Sequence, residues 1–237
     1  MARMPSLSIR RAAERGLSSH GSLSSAHTFG VGGTIDEQRG PFAALRVLDE
    51  DLVAPGEGVP PHSHRNVDII SYVLDGSLEH RDSLGNNSIV QSGGVQYLSA
   101  GSGVTHSMFN PSDTKPVRFL QIWLLPVRAQ TVPRYATMTI DPFDKRGRLS
   151  LFLSPDGRYG SMATEAPALV YAGSIDGRES VRHELAVAQK AWLQVMRGRV
   201  ALNGHGLAAG DGAALDGAGM IHLDQGSHAE VMLVVMR

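Results

Sequence analysis

Two histidines one residue apart, His62 and His64, and a third, His106, in a glycine-led stretch further along are the side chains best suited to chemistry. Imidazoles at i and i+2 on an extended strand point to the same side. His62 and His64 can therefore converge on one metal ion, and a neighbouring strand can bring a third nitrogen to it. Neutral imidazole is the commonest protein ligand for transition metals. The sequence has no cysteine, which removes thiolate sites, disulfides and cysteine nucleophiles together. Any metal must be held by histidine and carboxylate. The competing reading of these residues, a polar barrel interior whose imidazoles bond only to water, is weaker for three histidines at this spacing than for one.

The elements that position them read as short strands. The chain has 237 residues, of which 42% are hydrophobic and 19% charged, with 27 glycines and 12 prolines. Such a balance describes a globular chain of tight turns rather than long helices, long enough for one large domain or two smaller ones. A formal net charge of −1, with no basic block after Arg10-Arg11, gives nothing to draw nucleic acid or anionic lipid. A small-molecule partner is favoured. No apolar run approaches the ~18 residues of a membrane helix, and residues 1–20 lack the apolar core of a signal peptide. The expectation is a soluble, cytoplasmic protein.

Residues 1–40, rich in Ser and Gly, read as an irregular arm with short apolar pieces, Leu7-Ser8-Ile9 and His27-Thr28-Phe29, that can pack onto a following sheet. His20 and His27 lie there without a partner at i+2, so hydrogen-bonded structural roles outweigh ligation. From Phe42 onward, strand signals alternate with glycine turns: Val67 to Leu74, then Asp75-Gly76, Val95 to Leu98, Gly101-Ser102-Gly103, Val104 to Phe109, and Val117 to Leu125. Strands at intervals of about 8 to 12 residues are the signature of a sandwich or barrel. The expected domains are 1–126 with the metal site, a connector over 127–150, and a second barrel over 151–237. The second half repeats the first: Val195-Met196-Arg197-Gly198 resembles Val73-Leu74-Asp75-Gly76, and Gly217-x-Gly219-x2-His222 resembles Gly101-x-Gly103-x2-His106. Counting back from Gly198 reaches Glu184 and Ala186, and His183 falls out of phase. His222 alone is a weak ligand set. The second site reads as degenerate, structural or empty.

The pattern Gly56-x5-His62-x-His64-x3-Asp68, followed by Gly103-x2-His106-x3-Asn110, resembles the two cupin motifs, with Asp68 where the first motif usually has Glu. The words YVLDGSLEHRDSLGN and VQYLSAGSGVTHS narrow the resemblance to the pirin family. The similarity runs through residues 7–126 and, more loosely, the second copy. It implies an all-β bicupin of two face-to-face cupin barrels, each a double-stranded β-helix or jelly roll, with a mononuclear metal in the N-terminal one. By matching positions the ligands are His62, His64 and His106, with Met108 at the usual glutamate position. The resemblance implies iron, as Fe(II); histidine donors also suit Ni, Mn, Cu and Zn. It further implies quercetin 2,3-dioxygenase-like chemistry on a small aromatic enol with O₂.

Met108 departs from that pattern. It shares the strand face of His106, but a thioether is a poor ligand for Fe(II), Mn(II) or Ni(II) and cannot take a proton. Either another base substitutes or the reaction is lost; Asp68 is the first candidate, on the same face as His64 if the strand runs unbroken, and Glu79, His80 and Asp82 lie further round the barrel. Tyr72, Tyr97, Phe109 and Trp123 are aromatic neighbours that alternation sends to different faces, and core packing accounts for them as well as a substrate site does. Two functions follow. One is a metal-binding pirin-like cupin with weak flavonol dioxygenase activity. The other is a non-catalytic regulatory or sensor bicupin, its site weakened or empty, acting through a protein partner. Oligomeric state is left open.

Overall fold

The computed structural model describes residues 4–29 and 40–237. In chain order its strands are β1 (Ser6–Arg10), β2 (Gly16–His20), β3 (Leu23–His27), β4 (Leu45–Val53), β5 (Gly58–His64), β6 (Asp68–Asp75), β7 (Ser77–Asp82), β8 (Asn87–Gln91), β9 (Gly94–Ser99) and β10 (Val104–Phe109). They continue as β11 (Val117–Leu124), β12 (Arg134–Thr139), β13 (Leu149–Ser154), β14 (Met162–Ala163), β15 (Ala168–Ile175), β16 (Val181–Leu185), β17 (Lys190–Leu202), β18 (His205–Ala208), β19 (Gly212–Asp216) and β20 (Gly219–Met236). One helical turn, α1 (Pro142–Lys145), interrupts them. The all-β expectation is met.

The chain forms two compact units. The first comprises Gly16–Thr139 with Thr164–Ala166. It has a four-stranded sheet ordered β5-β10-β7-β8 and a seven-stranded sheet ordered β12-β9-β6-β11-β4-β3-β2. β6 is buried from Asp68 to Leu74, covered on both faces, as its run of Ile, Tyr and Val requires. The tight turn from β6 to β7 rests on Gly76, whose φ of +78° suits glycine and where an added Cβ would meet the Pro116 carbonyl oxygen at 2.7 Å. Val53, Val73, Leu78, Val90, Met108, Val117 and Phe119 form one core cluster of this unit, and Val67, Ile69, Leu98, Ala100 and Val104 another.

The second unit comprises the N-terminal segment to Arg15, Ile140–Ala163 and Pro167–Arg237. Its sheet runs β1-β19-β17-β20-β15-β13-β14, with β16 on β20 and β18 on β17. Alternating residues of β17 and β20, such as Leu193, Val195, Val231 and Leu233, fill its core. Gly198 in β17 repeats the positive φ of Gly76, +64° against +78°, which fits the duplication seen in the sequence.

These boundaries differ from the expected ones. The supposed irregular arm is strand over much of its described length; residues 30–39 lie outside the described residues. β1 pairs with β19 through Ser6↔Asp216 to Arg10↔Gly212, so the chain's first strand belongs with its last third. The supposed connector contains β12, which pairs with β9 through Arg134↔Ser99 to Thr139↔Gly94 and completes the first unit. Both errors have one cause: short strands with long-range partners carry no local signal of where they pair.

Candidate metal centre

The site is built on the four-stranded sheet. β10 pairs with β5 so that His106 faces His62 and Val104 faces His64, in antiparallel register. Beyond His106 the register shifts: Met108 pairs with Val59, leaving an extra residue on the β5 side. The irregularity falls at Pro60-Pro61, two residues with no N–H to give to a ladder, on a strand at the sheet edge where proline is tolerated. The loosened backbone is used. The Pro60 carbonyl accepts a hydrogen bond from His62 Nδ1–H at 2.9 Å, which fixes that ring's tautomer and leaves Nε2 with its lone pair.

The three imidazoles converge as the sequence predicts. Their ring centroids lie 4.8 Å (His62–His64), 4.5 Å (His62–His106) and 5.1 Å (His64–His106) apart, and their ligand atoms all lie within 4.8 Å of one another. His106 is 2% exposed, and both of its ring nitrogens are buried without a hydrogen-bond partner. An unsatisfied buried imidazole is costly, and a metal shared with the two neighbouring rings would satisfy it. Burial, then the neighbouring His62, His64 and His80, lowers the pKa of His106 to about 3; burial, then His62, lowers that of His64 to about 4. Both rings are therefore neutral at physiological pH, the form that ligates. Trp123 stands edge-on to His64, centroids 4.9 Å apart.

Met108 is 3% exposed and belongs to the apolar core of this unit. Its sulfur nevertheless sits among three donors: Gln96 Nε2 at 3.5 Å, Gln121 Nε2 at 3.8 Å and Ser71 Oγ at 3.9 Å. Gln96 in turn accepts from the Tyr135 hydroxyl at 3.2 Å, and Gln121 from Trp123 Nε1 at 3.1 Å. These are groups suited to a carboxylate, offered here to a thioether. On the other edge of β10, β7 keeps strict register, with His106 opposite Asp82 and Met108 opposite His80. His80 and Asp82 thus face the same side as the cluster, and alternation puts Glu79 on the other face. A groove of ≈ 710 Å³ is lined by Glu79, Arg81, Thr105, Ser107 and Phe109 and also reaches Asp82 and His106.

Asp68 is not brought to the histidines. Asn66, with φ of +55°, breaks the strand between His64 and Asp68, so the face of one does not carry to the other. Within β6, alternation sets Asp68 opposite in sense to Ser71, whose hydroxyl points to Met108. Its Oδ2 accepts from Tyr97 Oη at 3.0 Å, Thr164 Oγ1 at 2.6 Å, Glu165 N at 3.0 Å and Ala166 N at 3.2 Å. Asp68 clamps a returning segment of chain to the first unit. Replacing it with alanine strands those donors and is expected to lower stability by about 3 kcal/mol, with metal affinity unchanged; urea unfolding and a metal titration on the same variant check both halves.

The other histidines take structural places. His27 is held between Ser18 Oγ at 2.8 Å and Asp49 Oδ2 at 3.0 Å, and His20 lies exposed at the end of β2. In the second unit His222 sits 3.8 Å from Asp224, and His183 meets Tyr171 edge-on. Among the described residues no group of metal-ligating side chains forms there. Sequence reading missed Ser71, Gln96, Gln121 and Tyr135. The first three carry no motif signal, and Tyr135 lay in the stretch taken for a connector.

Two all-β units, one with a strand-borne trio of converging imidazoles, define a bicupin with one candidate metal centre among the described residues. Residues 9–124 match the family model described as Pirin, and residues 151–236 match that described as Quercetinase C-terminal cupin domain. The chain is 36% identical over 225 residues to the quercetin 2,3-dioxygenase of Escherichia coli strain K12, covering 95% of this chain and 96% of that one. It is 32% identical to a pirin-like protein of Caulobacter vibrioides, over 91% and 93% of the two chains. Among solved structures it resembles the bacterial pirin YhhW of E. coli in complex with nickel(II), at 35% identity and a TM-score of 0.92, covering 98% of this chain and 99% of that one. The chain belongs to the pirin family.

Proposed function

We propose that this pirin-family protein holds one divalent metal ion, Fe(II) in the cell, on His62, His64 and His106, and has a weak dioxygenase activity toward an aromatic enol such as a flavonol. The observation that carries the reading is the convergence of three imidazoles, one of them buried with neither nitrogen satisfied. The quercetin 2,3-dioxygenase relative and the nickel-bound pirin support it. A metal bound there would supply Lewis-acid polarisation of the enol oxygen and open positions for both enol and O₂. The residues do the rest. His62 presents Nε2 because Pro60 takes its other nitrogen; His106 anchors the centre from the buried side; Trp123, edge-on to His64, gives an aromatic ligand an apolar neighbour. Met108 holds no proton and gives no carboxylate oxygen, which is why the activity is weak.

The same methionine favours a second reading, a regulatory or sensor bicupin whose centre binds metal weakly and which works through a protein partner. Elemental analysis of protein prepared without chelator, joined to aerobic quercetin turnover, separates the two. Near-stoichiometric metal with slow turnover is the expected result. Absence of metal sinks the enzyme reading; bound metal without turnover leaves a three-histidine centre for another enol.

A further inference from the structure

His80 has the features of a working part of the centre without belonging to the histidine trio. It is fully buried. Its Nε2–H donates to Asp82 Oδ2 at 3.0 Å, so the lone pair lies on Nδ1, and that nitrogen has no hydrogen-bond partner. Asp82 is itself held rigid by Leu84 N, Asn86 N and Asn86 Nδ2. The ring plane is set by Tyr135, stacked at 4.1 Å and 9°. A histidine whose far nitrogen is tied to a carboxylate is the usual arrangement around metal sites. Neither His62, tied to a carbonyl, nor the unpartnered His106 has it here.

Location completes the case. The His80 ring lies 5.4 Å from that of His106, and His80 is the direct cross-strand neighbour of Met108. Directly paired side chains have Cβ atoms about 5 Å apart, so His80 stands beside the position from which a glutamate would reach the metal. Extending the metal-centre reading on which it rests, we infer that His80 Nδ1 accepts a hydrogen bond from the hydroxyl, of water or of an enol, seated against the three-histidine site, in the place of the oxygen that Met108 does not supply. His80 is a positioning residue, aimed by Asp82 and Tyr135.

The test uses metal-free full-length protein titrated with Ni(II) by calorimetry and with Co(II) by visible absorption. His80→Phe keeps the stack on Tyr135 and removes both nitrogens; Asp82→Asn keeps the imidazole but releases its orientation. Ni(II) affinity is expected to fall about tenfold in the first and less in the second, and the Co(II) bands of the bound fraction to shift in both. A merely structural role would leave those bands in place. Wild-type affinity, within about twofold, and unaltered bands in both variants overturn the role of His80 while leaving the centre intact. Wild-type protein that binds neither ion overturns the centre itself.

Discussion

Met108→Glu is expected to raise Ni(II) affinity by about 100-fold, worth about 2.7 kcal/mol, and to raise quercetin turnover with it. The two side chains match in length, and the donors a carboxylate needs already surround the sulfur: Ser71, Gln96 and Gln121, within 3.5 to 3.9 Å. The gain has a counterpart. In the metal-free variant a carboxylate occupies a core position 3% exposed, beside Val73, Leu78 and Phe119, and the three amide and hydroxyl donors offset only part of its desolvation. Metal-free Met108→Glu should therefore melt below the wild type, and the metal-bound variant above the metal-bound wild type. Thermal melts with chelator and with excess Ni(II) read both signs. Equal affinity in variant and wild type would show that residue 108 does not reach the metal.

The second large effect concerns His106. Replacement by leucine, similar in volume, should abolish metal uptake while making the metal-free protein more stable, because it removes a buried ring with two unsatisfied nitrogens. The benefit grows in acid. The folded pKa of about 3 lies below the ordinary 6.5, so below pH 6.5 the unfolded chain binds a proton that the folded chain refuses. Stability contributed by the neutral ring is present above about pH 6.5 and lost as pH falls toward 3. At pH 5 this amounts to about 2 kcal/mol, which His106→Leu would recover. Asp51, raised to about 6 mainly by burial, acts in the opposite sense, but it is common to both proteins and cancels in the comparison. Urea unfolding in chelator at pH 8 and pH 5 gives the difference directly. A variant as acid-sensitive as the wild type would show that His106 is not a source of the acid loss.

What the sequence showed follows from which physics is local. His62 and His64 declare themselves because strand alternation is a two-residue rule, and His106 because a glycine turn announces its strand. Asp68 was misplaced because the same rule was carried across Asn66, where the backbone turns to positive φ. Nothing in the sequence announces that a thioether would lie among Ser71, Gln96 and Gln121: these come from β6, β9 and β11, and only closure of the sheets brings them together. The stack of Tyr135 on His80 is of the same kind, since it needs β12 docked on β9. The duplication was visible in repeated glycine turns, but the partners of β1 and β12 were not, because pairing over long separations is set by whichever sheet edge is left open.

The pairing of β1 with β19 has a consequence for synthesis on the ribosome. β1 must wait about 200 residues before its partner β19 is made, and the clamp on Asp68 must wait for Thr164 to Ala166. Folding proceeds in the order of emergence where units are contiguous, and neither unit here is. The first unit can close once residue 166 is out, with the β1 segment held aside as a loose end, and the second only once β19 and β20 are made. A gene cut between the two halves would thus yield a first half without its clamp and a second half lacking an edge strand, two fragments that need each other's pieces to fold.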